Sequence, residues 1–369
     1  MSVKLEKKPE TAAARIAKLD EMARELPIVT AEDYVTATKI TTSGSITLDM
    51  AIGIGGYPDG CIIDSYGGES AGKSLLSIMY MAQVQKSGGV AAVWDVERSY
   101  THDTAWLEVN GVNPKQLRFI QLEPKQGCEH GMDAVEKIAS SGLVDLIVVD
   151  SIPAMVPQAA LDRPLTKNDL VMARANKLSQ HIARLNGLIG RSKTTVMFIN
   201  QIRANLHAGP FGDPEKETSI AALKHHAALR MRVTKLVGKK WMKFDSNNIP
   251  IGHRVRVKVV KNKLAAPFRT AEFDLFYTKG VDHASEIAGI LLGADIAKQG
   301  GAWIEYGKEK FQGASSFLTF LREPKNFEKA MSDVRKLLSE GRIMHFGRVK
   351  DEDGPEGAVT IDEAEENDE

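Results

Sequence analysis

"CIIDSYGGESAGKSLLSIMYMAQVQKSG", residues 61–88, decides the fold. An apolar run opening on Cys61 leads into "GGESAGKS", residues 67–74, and a second apolar stretch follows. The eight central residues fit G-x-x-x-x-G-K-[ST], a loop whose backbone N–H groups cradle phosphate between a strand and a helix N-terminus. Gly67 and Gly72 give the backbone that freedom, and Gly68, Glu69, Ser70 and Ala71 form the cradle between them. Lys73 is placed to reach the outer phosphates of a nucleotide, and the Ser74 hydroxyl to ligate Mg2+. A chance match in a glycine-rich turn would lack the flanking strand and helix.

Outward from this stretch, strands and helices alternate. "VAAVWDVE" (90–97), "LRFIQL" (117–122), "VDLIVVD" (144–150) and "TTVMFINQ" (194–201) read as strands, "GMDAVEKIASSG" (131–142) and about 169–190 as helices. That order predicts a mostly parallel sheet covered by helices on both faces, an α/β fold. "LRMRVTKLV" (229–237), "HRVRVKVVK" (253–261) and "RTAEFDLFY" (269–277) follow without helices between them and predict antiparallel extension of the sheet. Residues 11–26 read as a helix whose stripe of Ile16, Leu19, Ala23 and Leu26 needs a partner, the body or a neighbouring copy. The chain divides into an N-terminal helix and linker (1–34), a core (35–280), a small α+β domain (281–348) with a strand pair near "AWIEYG", and a tail (349–369). Residues 157–168 and 203–219 resist secondary structure; long irregular loops of this kind are usually functional or disordered. Both follow strands, on the side where open α/β sheets bind ligands.

The 369 residues carry 48 basic and 48 acidic side chains, unevenly spread. Residues 351–369 hold ten Asp or Glu and no Lys or Arg, which leaves 48 basic against 38 acidic residues elsewhere. A basic body with an acidic tail suits a polyanion binder whose tail competes for the same surface; a solubilising disordered tail is the other reading. Cys61 and Cys128 have no metal or redox spacing, no apolar run is long enough to cross a bilayer, and the N-terminus shows no signal pattern. The expectation is a cytoplasmic protein with no membrane partner.

Polar residues at strand ends carry the chemistry. Asp150 ends "LIVVD", where a carboxylate suits Mg2+ or the metal's water, or else serves as an N-cap for the next turn. Glu97 lies just past "VWDV", as a base orienting water or as a surface glutamate, with Asp95 a local hydrogen-bond acceptor beside it. "FINQIR" (198–203) puts Gln201 and Arg203 at a third tip, as a γ-phosphate contact or a polar strand end. In "VRVKVVKNKLAAPF" (255–268), Lys261 and Lys263 point to one side, toward an anion or into water.

"GGESAGKS", "LIVVDSIPA", "FINQIR" followed by "FGDPE", and above all "RVKVVKNKLAAPF" resemble the bacterial RecA recombinase family, from about residue 35 to about 345. The resemblance implies a RecA-type P-loop NTPase core, an N-terminal helix that docks on the neighbouring copy, and a small C-terminal domain. It implies an ATP- and Mg2+-dependent helical filament on single-stranded DNA that pairs with homologous duplex and exchanges strands, hydrolysing ATP to ADP and phosphate. Two alternatives share the core fold: a damage-sensing scaffold that promotes self-cleavage of a repressor, and a ring-shaped helicase or motor. The ring predicts an arginine finger in place of the lysine pair.

By the same matching, Lys261 and Lys263 reach the γ-phosphate of a neighbour's ATP, Glu97 activates water and Gln201 senses the γ-phosphate. Residues 157–168 and 203–219 resemble the two DNA loops, with Arg203 on phosphate, Leu206 as an apolar wedge and Phe211 in the second loop. Tyr277 matches a tyrosine near the adenine. Lys325, Lys329 and Lys336 can share a helix face that captures duplex DNA, or form a solvated face. The sequence also departs from the family. Gly68 and Ser74 replace proline and threonine, Ser219-Ile220 a glycine pair, and His225 a phenylalanine that couples ATP sites. Thr101 and Thr104 fall where an aspartate and a tyrosine hold the adenine, so nearby Tyr100 or Asp103 is the substitute. Asn176 and Ala183 fall where two DNA-facing arginines are expected, with Arg174 and Arg184 close by. These departures suggest a divergent member, with a phage or mobile element as one origin.

Overall fold

The computed structural model describes residues 11–25, 39–100, 104–163, 166–204, 215–217, 220–238 and 241–339. Helix α1 (Ala12–Met22), capped by the Thr11 hydroxyl, belongs to the first of two compact units, residues 1–39, and its Ile16, Leu19 and Met22 are all exposed. Leu26, expected on its stripe, lies outside the described residues.

The second unit begins with β1 (Ile40–Thr41), α2 (Ile46–Ile52) and β2 (Tyr57–Pro58). The alternating region comes next: β3 (Ile62–Gly67), α3 (Lys73–Lys86), β4 (Ala91–Asp95), α4 (Thr104–Val109), β5 (Arg118–Phe119), α5 (Cys128–Ser140), β6 (Leu146–Asp150), α6 (Gln158–Asp162), α7 (Lys167–Ser192) and β7 (Thr195–Ala204). Strand β8 (Glu215–Glu217), helix α8 (Ala221–His226) and strands β9 (Leu229–Lys235), β10 (Met242–Phe244), β11 (Pro250–Asn262), β12 (Thr270–Phe276) and β13 (Gly280–Val281) succeed it. The chain then forms α9 (His283–Gly293), β14 (Ala297–Gly300), β15 (Trp303–Tyr306), β16 (Glu309–Gln312), α10 (Gly313–Arg322) and α11 (Pro324–Ser339).

The central sheet runs β13-β12-β11-β9-β3-β7-β6-β4-β5, parallel from β9 through β5 and antiparallel from β9 to β13. Its strands alternate strictly between two cores, as the two-residue period of a strand requires. Ile63, Val93, Val148 and Met197 pack with α3, while Ile62, Trp94, Ile147 and Phe198 pack with α5 and α7. Helix α7 meets that second core with Leu178, Ile182, Leu185 and Ile189, a helical stripe. Two expectations about the loops change. Residues 157–168 contain α6 and the Thr166 cap of α7, and the two ends of 203–219 are strands, Arg203 and Ala204 pairing with Lys216 and Glu215. The expected strand pair near residue 303 is a three-stranded sheet, β14-β15-β16, because "EKFQ" adds a third strand.

The small domain is tied to the core by a buried carboxylate. Glu286 on α9 accepts hydrogen bonds from the Ser45 and Thr47 hydroxyls, from Thr47 N at 3.3 Å, and from His283 Nδ1 at 2.9 Å. Among the described residues, no helix is long and apolar enough to cross a membrane.

Beneath the phosphate loop, three strands are tied together by charge. Asp64 on β3 is fully buried; it accepts from Arg230 Nε at 2.9 Å on β9 and from Asn200 Nδ2 at 2.6 Å on β7. The Arg230 guanidinium also lies 5.0 Å from the centroid of the Tyr66 ring. Removing the Asp64 carboxylate takes away the buried counter-charge of Arg230. Asp64→Ala is expected to cost about 3–5 kcal/mol of stability, read as a lowered denaturant midpoint.

Candidate functional site

The phosphate loop owes its shape to two glycines. A Cβ on Gly67 would lie 2.0 Å from Val233 O, so only glycine lets β3 end this close to β9. Gly72 has φ +100° and opens α3 with no side-chain cap, which leaves the first N–H groups of that helix for a ligand. Gly68 faces open space, whereas Ala71 is buried in the core. Lys73 is itself buried, its Nζ donating to Gly67 O at 3.1 Å and Gly68 O at 2.5 Å. Burial lowers its pKa, against the pull of Asp150, Glu97 and Glu69.

Around this loop, a pocket of about 250 Å³ is lined by Glu69, Ser70, Lys73, Ser74, Glu97, Asp150, Ser151, Ile199 and Gln201. The parallel strands β3, β4 and β6 finish at this edge and β7 passes it at Gln201, which is why residues distant in sequence meet here. Asp150 is 2% exposed, and its carboxyl is pushed up to about 6 by burial, against hydrogen bonds from Tyr100 and Ser74 and with the repulsion of Glu97 and Asp95. Its Oδ2 accepts from Ser74 Oγ at 3.0 Å and from the Tyr100 hydroxyl at 2.8 Å. Glu97 is held to the same strand tip, its backbone N–H donating to Asp150 O at 3.2 Å. Its Oε1 accepts from Ser151 Oγ and from Gln201 Nε2, the latter at 2.9 Å. Glu97 and Gln201, expected from the sequence as base and phosphate sensor, therefore touch directly. The Ser74 hydroxyl beside the buried Asp150 carboxylate is an all-oxygen donor set, which suits a hard divalent cation.

Tyr100 differs from expectation. At 2% exposed, its ring lies in the core and offers no face to an adenine; its hydroxyl reaches Asp150 instead. Asp95 acts on the local backbone, accepting from Ser99 N at 2.8 Å and Tyr100 N at 2.9 Å. Sequence reasoning passed over Ser151 and Ser77, which hold Glu97 and Tyr100; the serine following Asp150 in "LIVVDS" was the available signal. Tyr277 is 40% exposed and its hydroxyl lies 3.3 Å from His253 Nδ1.

Neither Lys261 nor Lys263 lines the pocket. Lys261 Nζ donates to the carbonyls of Lys224 and His225 at 2.8 Å each, and Lys263 Nζ to that of His226 at 3.4 Å, the C-terminal carbonyls of α8. Asn262 fixes the corner between them, donating to Ile52 O and accepting from Leu264 N and Ala265 N. Of the expected DNA contacts, Arg174 donates to Pro153 O at 2.7 Å and Arg184 pairs with Glu136 at 3.1 Å. Arg203 continues β7 two residues beyond Gln201. Leu206, Phe211, Thr101, Asp103, Ser219 and the acidic tail lie outside the described residues.

The family model described as the RecA N-terminal domain matches residues 14–282. The chain belongs to the RecA family. It is 38% identical over 301 residues to Protein RecA of Mycoplasma mycoides subsp. mycoides, covering 81% of this chain and 84% of that one. It is 38% identical over 311 residues to Protein RecA of Leptospira meyeri, with 84% and 77% covered, and 41% identical over 282 residues to that of Campylobacter jejuni subsp. doylei, with 76% and 79% covered. RecA proteins are DNA-dependent ATPases that exchange DNA strands, and this chain is a recombinase of that kind, binding nucleotide and DNA and assembling with its own copies. Within a RecA core, the position of Glu97 makes a separable prediction. Glu97→Gln is expected to keep nucleotide affinity and to lower phosphate release by about 10²–10⁴-fold, measured as turnover beside equilibrium nucleotide binding.

Proposed function

We propose that each copy binds ATP with Mg2+ in the Lys73 pocket and that the site is completed by Lys261 and Lys263 of the next copy along a helical filament on single-stranded DNA. One observation carries this reading: Lys73, Ser74, Asp150, Glu97 and Gln201 converge on one pocket while the two lysines stand outside it. The loop N–H groups and Lys73 bind the β- and γ-phosphates. Ser74 and Asp150 would hold Mg2+, which neutralises charge on the phosphate oxygens when bound. Glu97, held by Ser151 and Gln201, orients water toward the γ-phosphate and accepts its proton. The two ammonium groups exchange the α8 carbonyls for a neighbour's γ-phosphate and stabilise charge there in trans.

Strand β7 links the nucleotide to DNA. Gln201 faces the pocket, and Arg203, two residues on, begins the second DNA loop with Leu206 and Phe211 beyond it. A γ-phosphate that draws the Gln201 amide away from Glu97 moves the root of that loop. Arg174 and Arg184 on α7 add cationic contacts beside the first loop. Tyr277 is the side chain for the adenine. On α11, Ala330, Val334 and Leu337 are buried while Lys325 and Lys329 are exposed, so the helix offers a basic face to duplex DNA. The acidic residues of 351–369 compete for that face. A self-cleaving repressor would be a further partner of the same filament.

Lys261→Ala is expected to bind ATP as well as wild type while losing the DNA-stimulated part of turnover by about 10³-fold, the scale of a charge supplied in trans. Hydrolysis measured with and without single-stranded DNA checks this, and a normal DNA response in the variant would sink the assignment. Deletion of 351–369 is expected to strengthen duplex binding and to lower the Mg2+ needed for it. Unchanged binding in a salt titration would reduce the tail to a solubility device.

A further inference from the structure

Tyr100 spans three elements of the site. Its backbone N–H is held by Asp95 at the end of β4, and its hydroxyl lies 2.8 Å from Asp150 Oδ2 on β6 and 2.7 Å from Ser77 Oγ on α3. An ionised carboxylate only accepts hydrogen bonds, so the phenol donates to Asp150. The phenol oxygen is then left as an acceptor for the Ser77 hydroxyl, and the three groups form a directed chain, Ser77 to Tyr100 to Asp150. Ser77 has one proton to give, and Ser74 O, also 2.7 Å away, competes for it. Ser74 Oγ reaches the same carboxylate oxygen, at 3.0 Å. Among the described residues, both hydrogen bonds to the Asp150 side chain fall on Oδ2, while Asp150 itself lines the pocket.

We propose that Tyr100 is a positioning residue for the metal carboxylate: its hydroxyl, backed by Ser77, pins Oδ2 so that Oδ1 and the lone pairs of Ser74 Oγ are offered to the divalent cation together. This rests on the reading of Ser74 and Asp150 as the Mg2+ ligands. The ring is locked in the core and its loop is clamped by Asp95, so the hydroxyl cannot follow a carboxylate that turns. Without it, Asp150 Oδ2 keeps one donor of two in a buried setting, and the carboxylate is free to rotate toward other partners. Loss of such an outer partner commonly weakens metal binding by about 10–100-fold.

The test uses the full chain and a fluorescent ADP analogue, so that no turnover is needed. Its affinity is measured in EDTA and in saturating Mg2+, and the ratio of the two gives the metal-dependent enhancement. Tyr100→Phe is expected to lower that ratio about tenfold while leaving the affinity in EDTA unchanged. Tyr80→Phe is the control: it deletes another buried phenol, bonded to Thr195 in the same core, and is expected to lower thermal stability without moving the ratio. Ser77→Ala, which keeps the ring and its fold, should lower the ratio in the same direction by a smaller factor. An unchanged ratio in both Tyr100→Phe and Ser77→Ala, beside a metal-sensitive wild type, would overturn the role of Tyr100 alone. An equal fall in Tyr80→Phe would also overturn it, by reducing the effect to lost core stability. A wild type indifferent to Mg2+ would overturn the metal site itself and the proposal with it.

Discussion

Burying a carboxylate at the end of an apolar sheet is the constraint around which this molecule is arranged. Asp150 closes a strand with no exposed residue, and leaving it unpartnered there would cost far more than one hydrogen bond returns. Its partners come from every direction: Ser74 from the helix of the phosphate loop, Tyr100 from the turn after β4, and through its own carbonyl the backbone of Val96 and Glu97. These contacts fix where Glu97 stands. The same bonds that make the acid tolerable therefore set the spacing of the site. The residual cost, visible in the Asp150 pKa raised by burial and then by Glu97 and Asp95, is one that a bound cation would relieve.

Much of this was legible in the sequence because it is local. The phosphate loop, the strand–helix alternation and the carboxylates at strand ends come from short-range spacing, and the two-faced cores from the period of a strand. What escaped is non-local or needs a side chain's direction. Glu97 and Gln201 are 104 positions apart, and nothing in either neighbourhood announces their contact. Tyr100 looked like a ring for a nucleobase because it adjoins positions that hold one in the family. Only the geometry shows the ring turned inward and the hydroxyl used instead. The second loop looked irregular because two glycines, two prolines and several charges interrupt the stretch, yet Ile202, Arg203 and Ala204 pair with Glu217, Lys216 and Glu215 as strands.

The small C-terminal domain is not an appendage hung on a linker. Its first helix gives a fully buried glutamate side chain to the cap of α2, and that helix shares Ile46 and Met50 with the domain's own core. A rearrangement of the domain is thereby coupled to the segment that leads into the phosphate loop. The basic face of α11 stands on a body joined to the ATPase rather than swinging free of it.

The lysine pair has a consequence for shape. In one chain the cations rest on their own carbonyls, outside the pocket that would use them. If each copy lends them to the next, it is a lender on one face and a borrower on the other. Such a head-to-tail contact does not pair a surface with itself, and where its rotation fails to close, it extends without limit. A row built this way always has two unlike ends, one with an incomplete pocket and one with idle lysines. Growth and loss at those ends would be different chemical events, so an assembly built this way would have a direction before any DNA is bound to it.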